Sequence, residues 1–202
     1  MLNTVEPVAK PVSGSRSGTE QPSVVRFTSE QYHKLAETGI LQPDKRYELI
    51  RGFVYQTHPV GSEHSYIVME LAERLRDCAR GKVVAFTQSP IKLPDDSEPE
   101  PNIVLLKPPS QQYRSRLPEP ADILLIVEVS KSTLLYDRTV KLELYARAGI
   151  PEFWLLNLNK LQLEVYRNPD AEEVRYRELT TYDEGRTAAP GAFAECALEW
   201  WN

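Results

Sequence analysis

"ADILLIVEVSKSTLLYDRTVKLELYARAGIPEFW", Ala121 to Trp154, is the stretch whose reading decides the fold. Ile123 to Val127 are five consecutive apolar residues, the pattern of a central strand buried on both faces. The run ends on a carboxylate, Glu128. A carboxylate inside such a strand is costly unless paired or bound to a metal, so the strand's end is its natural place. Two readings of Glu128 stay open here: a surface group meeting an Arg or Lys, or a functional group. In the helical pattern that follows, Thr133, Asp137, Lys141 and Tyr145 recur every four residues and form one polar stripe. Val140, Leu144 and Ala148 form a neighbouring apolar stripe that can pack on a sheet. On spacing alone, Asp137 and Lys141 read as an exposed helix pair, worth about 0.3–0.5 kcal/mol, and Tyr145 as packing. "EFWLLNL" then gives another strand.

Upstream, "FTSEQYHKLAETGI" reads as a short helix with Thr28 and Gln31 at capping-box spacing. "RYELI" and "FVYQT" flank Arg51-Gly52 and predict a hairpin. "SEHSYIVMELAERLRDCARG" is the clearest helix, with Ile67, Leu71 and Leu75 as its apolar stripe and Gly81 as its end. "KVVAFTQ", "IKL" and "NIVLL" read as strands, and Lys107 to Pro120 as a proline-rich loop, with Asp122 capping the start of the central strand. Downstream, "LQLEVYR" and "EVRYREL" predict a peripheral hairpin. No internal repeat or linker interrupts this order. The fold class it predicts is α/β (α+β mixed), a mixed sheet flanked by helices, in one domain from residue 24 to 202. Residues 1–23, rich in Pro, Ser, Gly and Thr, read as a disordered arm.

Composition narrows the functional classes. A chain of 202 residues with 41% apolar and 26% charged residues suits a soluble globular domain. A net charge of −5 gives no general attraction to nucleic acid, so such contact needs a local basic patch. The two cysteines, Cys78 and Cys196, predict buried thiols in a reducing compartment, not a disulfide framework or a four-cysteine zinc site. No apolar run is long enough to span a bilayer, and no apolar signal core opens the chain, which predicts a cytoplasmic protein without a membrane partner.

"RYELIRGFVY", "GSEHSYIVMELAERL", "SEPEPNIVLL" and the Ala121–Leu158 stretch, in this order, resemble the Uma-type family of restriction endonucleases in the PD-(D/E)XK nuclease superfamily. The likeness covers about Phe27 to Leu158. It implies a restriction endonuclease-like fold and a metal-dependent nuclease. In that superfamily an early acid, an aspartate after proline and a strand glutamate hold magnesium or manganese, while a lysine near the metal orients or activates water. Carried over, Glu48 takes the early acid position, Asn102 the aspartate position and Glu128 the strand glutamate. Ser130 stands at the usual lysine position, and the resemblance assigns the lysine to the next helix, at Lys141.

Those residue types suit phosphodiester cleavage, which places negative charge on oxygens that a hard cation with oxygen ligands stabilises. Asn102 is the departure, because its amide oxygen is a neutral and weaker ligand than a carboxylate. Glu100, two residues earlier, is a substitute acid or an exposed loop acid. His64 reads either as a contact to the scissile phosphate or metal shell, or as a helix-start histidine with a local hydrogen bond. Gln88 reads as a phosphate contact or, more commonly, a buried and satisfied amide. His33 and His58 have no partner at ligand spacing and read as surface residues. Lys107, Arg114 and Arg116 in "KPPSQQYRSRL" form a short acid-free run for nucleic-acid contact, with Tyr113 placed to stack on a base; ordinary solvation is the alternative. Three functions compete: a magnesium-dependent DNA endonuclease, a homodimer if it cuts both strands; a non-catalytic nucleic-acid-binding module; and a protein-interaction module using "ECALEWW" with Trp200 and Trp201.

Overall fold

The computed structural model describes residues 23–57 and 59–199. The arm before residue 23, His58, and the Trp200–Trp201 pair of the suggested interface lie outside the described residues. The chain opens on helix α1, Ser29–Glu37, whose capping box forms as the sequence predicts: the Thr28 side chain accepts from the Gln31 N–H and the Gln31 side chain accepts from the Thr28 N–H. Strands β1, Tyr47–Ile50, and β2, Phe53–Gln56, pair antiparallel around Arg51 and Gly52. Both turn residues have positive φ, at 52° and 79°. Helix α2, Ser62–Cys78, follows; it buries Val68, Leu71, Ala72 and Leu75 and stops before Arg80 and Gly81, which also turn to positive φ.

A six-stranded mixed sheet forms the centre. It comprises β3 (Val84–Thr87), β4 (Ile103–Leu106), β5 (Ile123–Ser130), β6 (Glu152–Asn157), β7 (Gln162–Asp170) and β8 (Arg175–Asp183), adjacent in that order. Only β5 and β6 run parallel. Their crossover is the helical stretch α3, Leu134–Tyr136, a π-helical turn, Asp137–Lys141, and α4, Leu142–Arg147. Short strands β9, Thr187–Ala188, and β10, Leu198–Glu199, pair antiparallel, with Ala188 and Leu198 in the layer on the α2 side of the sheet. Alternation in β5 and β6 feeds two hydrophobic layers. Leu125, Val127, Trp154 and Leu156 pack with α2, and Ile126, Phe153 and Leu155 pack with Leu144 and Ala146 of α4. Burying each of these side chains contributes about 1.5–3 kcal/mol, so β5 and β6 draw stabilisation from both faces. The hairpin expected from "LQLEVYR" and "EVRYREL" forms the far edge of this sheet.

Two expectations are corrected. Ile91 to Leu93 do not form a strand; Leu93 makes one isolated bridge with Ser97, where its N–H donates to the Ser97 carbonyl at 2.8 Å. Prolines at 90 and 94 remove ladder donors, and positive φ at Asp95 and Asp96 folds the segment back on itself. Cys78 and Cys196 are joined as a disulfide instead of standing as separate thiols. The reason is packing: Cys196, at the end of the Gly191–Phe193 turn, is fully buried in the same layer as the α2 residues Leu71 and Leu75.

Candidate functional site

Strand register brings three of the singled-out residues side by side. Thr87 pairs with Ile103, and Ile103 with Val127, so the next step puts Gln88, Asn102 and Glu128 abreast at one end of the sheet. The Gln88 N–H donates to the Asn102 carbonyl at 3.1 Å, and the Asn102 N–H donates to Glu128 Oε2 at 3.2 Å. Glu48, on β1, and Lys141, in the π-helical turn, complete the cluster. Lys141 Nζ donates to Glu48 Oε1 and to Glu128 Oε1, each at 2.9 Å. The Tyr145 hydroxyl donates to Glu128 Oε1 at 2.7 Å, and the Glu100 N–H to Glu48 Oε1 at 2.8 Å. Glu48, Glu128, Lys141 and Tyr145 are all buried.

The polar stripe on the helix therefore faces inward, contrary to the exposed pair expected for Asp137 and Lys141. Asp137 is buried and accepts from Ser130 Oγ at 2.6 Å and from Thr133 Oγ1 at 2.7 Å. Those bonds lock the start of the helix onto the end of β5. The π-helical turn runs from Asp137 to Lys141, so the lysine leaves the wide turn just as the helix reaches Glu128 and Glu48. Ser130, at the position where the superfamily pattern has lysine, works instead as the anchor of Asp137. Sequence reasoning passed over the roles of Asp137 and Tyr145, although their four-residue spacing with Lys141 was the available signal.

Charge in this cluster is out of balance. Burial pushes the Glu128 carboxyl up to about 7; Lys141 opposes the rise, while Asp137 and Glu48 add to it. Burial also works against the Lys141 charge, but Glu128, Glu48 and Asp137 outweigh it and hold the ammonium above the ordinary lysine range. Tyr145, buried beside Glu128 and Glu48, is raised well above an ordinary tyrosine and stays a hydrogen-bond donor. One lysine thus faces more acid than it neutralises.

Asn102 is already engaged. Its Oδ1 accepts from the Val129 N–H at 2.7 Å and lies 3.3 Å from His64 Nε2. An amide oxygen cannot donate, so that ring nitrogen carries the hydrogen, while Nδ1 is buried without a partner. Gln88 has positive φ, and its Nε2 is likewise buried and unpaired, unlike the satisfied amide that is the commoner case. Glu100 turns its carboxylate to Arg46, at 2.7 Å, leaving only its backbone N–H at Glu48. His33, read as a surface residue, is 54% exposed, and its Nε2 sits 2.8 Å from the buried Glu98. In the proline-rich loop Lys107 Nζ donates to the Ala121 carbonyl, and Arg116 forks onto Asp122 at 2.5 and 2.9 Å. Asp122 also accepts from the Glu119 N–H, as a cap to the start of β5. Tyr113 is buried under Arg116, with its hydroxyl on the Lys107 carbonyl, so its ring is taken up in the loop itself.

The comparisons with known proteins bear on this arrangement. Residues 29–200 match the Uma2 family, described as "Putative restriction endonuclease". The chain belongs to the Uma2 family. A crystal structure described as a putative nuclease of the DUF820 group, from Anabaena variabilis, is similar with a TM-score of 0.65 and 17% identity, over 86% of this chain and 95% of that one. That likeness shows the fold, the mixed sheet with helices on both sides that the Uma2 resemblance implies. No curated protein matches the chain.

A divalent cation is the group the family implies. Among the described residues no three His, Cys, Asp or Glu side chains converge as a metal cage. The set nearest to one is two carboxylates, Glu48 and Glu128, with the Asn102 amide oxygen as a neutral third. These are hard oxygen donors, and the surplus of acid over Lys141 suits a cation. The residues fit magnesium or manganese through two anionic ligands rather than three. Among the described residues no helix is long and apolar enough to cross a membrane.

Proposed function

We propose that this Uma2 protein is a metal-dependent endonuclease that hydrolyses phosphodiester bonds in DNA. The observation that carries the reading is the meeting of two buried carboxylates on one buried lysine, each supplied by a different element. Burial of such charges is costly, and replacing them with apolar residues would commonly be as stable, so a chemical role accounts for them better than stability does. Glu48 and Glu128 would hold magnesium or manganese, with Asn102 as a neutral third oxygen. A bound cation supplies Lewis-acid stabilisation of charge on the nonbridging and leaving oxygens. Lys141, held positive by its neighbours, stabilises developing negative charge and does not act as a base. Tyr145 and the Asn102 N–H fix the Glu128 carboxylate in place. His64, Gln88 and Glu100 stand around this group as supporting residues; Lys107, Arg114 and Arg116 lie at the other end of β4 and β5, and with Lys107 and Arg116 tied to their own loop, Arg114 is the candidate nucleic-acid contact of the three. The chain from residue 24 onward acts as one domain in the cytoplasm, and cutting both strands with one site per chain calls for a homodimer.

The assay is nicking of supercoiled plasmid by the purified protein with magnesium, manganese or chelator. Cation-dependent nicking that is lost in Glu128→Ala supports the reading, and no nicking with either cation overturns it. A second reading, a nucleic-acid-binding module without cleavage, is favoured by one observation: Asn102 Oδ1 is spent on Val129 and His64. Asn102→Asp separates the two. It adds an anionic ligand beside Glu128, so calorimetric magnesium affinity rises about tenfold and nicking increases if the site is a weakened nuclease. An unchanged affinity gives the lead to the binding module.

A further inference from the structure

Tyr136 has no assigned role, yet it presents a buried hydroxyl without a hydrogen-bond partner. Its position is fixed by neighbours on both sides. Tyr55 stands opposite Glu48 in the β1–β2 register, and the Tyr55 and Tyr136 ring centroids are 6.0 Å apart. Tyr136 also directly precedes Asp137, the residue that locks the helix to the end of β5. The ring therefore lies close to Glu48 and Lys141, whose charges act on its hydroxyl. Burial first, and then the Glu48 charge, raise the hydroxyl above the ordinary tyrosine range, so the group keeps its proton. An orphaned buried hydroxyl is costly, on the order of 1–3 kcal/mol, and is retained where something else completes it.

We propose that Tyr136 is a substrate-contacting residue whose hydroxyl donates a hydrogen bond to a nonbridging phosphate oxygen of the DNA strand seated over Glu48 and Lys141. This rests on the nuclease reading above and adds to it a residue outside the acid–lysine set. A phosphate oxygen fits because the protonated hydroxyl has a hydrogen to give and the Lys141 ammonium lies close enough for its charge to act on the same group. Gln88 Nε2, another buried donor without a partner among the described residues, would meet the same strand from the β3 side.

The test is Tyr136→Phe, which keeps the ring against Tyr55 and removes the one oxygen. The affinity of a fluorescein-labelled DNA duplex, read by anisotropy in chelator, should weaken about tenfold. The melting temperature should stay level or rise, because an unsatisfied buried group has gone. A merely structural tyrosine gives the reverse pattern, a lower melting temperature with unchanged duplex affinity, and that result overturns the proposal. If the parent protein binds the duplex and the variant binds it equally well, the assignment of Tyr136 fails while the nuclease reading stands. If the parent neither binds nor nicks DNA, both fall together.

Discussion

Position 102 shows how much a single amide decides. An aspartate there would place a third negative charge next to Glu128 and Glu48, facing one lysine. The asparagine keeps the acceptor geometry toward Val129 and His64 without that charge. Even so, Glu128 carries the strain of burial, and its titration gives a prediction with a definite sign. The folded-state carboxyl sits at about 7 against an ordinary 4.5, so between those values the folded chain binds more protons than the unfolded one. Stability from this group is therefore lost as pH rises through about 4.5 to 7, by an amount on the order of 3 kcal/mol. Glu128→Gln does not titrate. The melting temperature of the variant relative to the parent, in chelator, should climb across that window and level off above it. A constant difference from pH 4.5 to 8 would show that Glu128 is ionised throughout.

At the scale of elements, the α3–π–α4 crossover and the proline-rich loop behave differently from their sequence patterns. Lys107, Arg114 and Arg116 look alike as a run of cations, but Arg116 is committed to Asp122 and Tyr113, and Lys107 to a carbonyl. Arg114→Ala should lower the salt slope of DNA binding by about one with little change in stability, if the loop touches phosphate. Arg116→Ala should instead loosen the loop and lower the melting temperature while leaving that slope alone. Equal slopes for parent and Arg114→Ala would remove the loop from the DNA surface. Much of the fold was legible in advance because its signals are local. The capping box at Thr28, the Arg51-Gly52 turn, the α2 stripe and the apolar run before Glu128 each need only neighbouring residues. The site was legible as residue types through family likeness, not through spacing. Periodicity put Asp137, Lys141 and Tyr145 on one face but could not say that the face turns inward, since that depends on Ser130 and on Glu48, which is far away in the chain. The unpaired Tyr136 hydroxyl was invisible for the same reason: nothing in the sequence reports what a side chain fails to touch.

At the scale of the whole molecule, the Cys78–Cys196 link ties the end of α2 to the segment following β9 across 118 residues of chain. Thiol titration of the denatured protein without reductant should find no free thiol, and two after reduction, with reduction lowering stability on the order of 2–4 kcal/mol. Two reactive thiols before reduction would mean that the sulfurs only pack together. The Glu48–Lys141 contact spans a comparable distance, 93 residues, and Glu128 is held in place by a strand partner, β6, that comes later still. Timing follows from that order. A ribosome releases the first acid long before the lysine and tyrosine that complete it, so a half-made chain carries loose carboxylates and no assembled centre. On the nuclease reading proposed above, cutting competence would arrive only when synthesis has passed β6, and a chain abandoned earlier would be inert toward DNA.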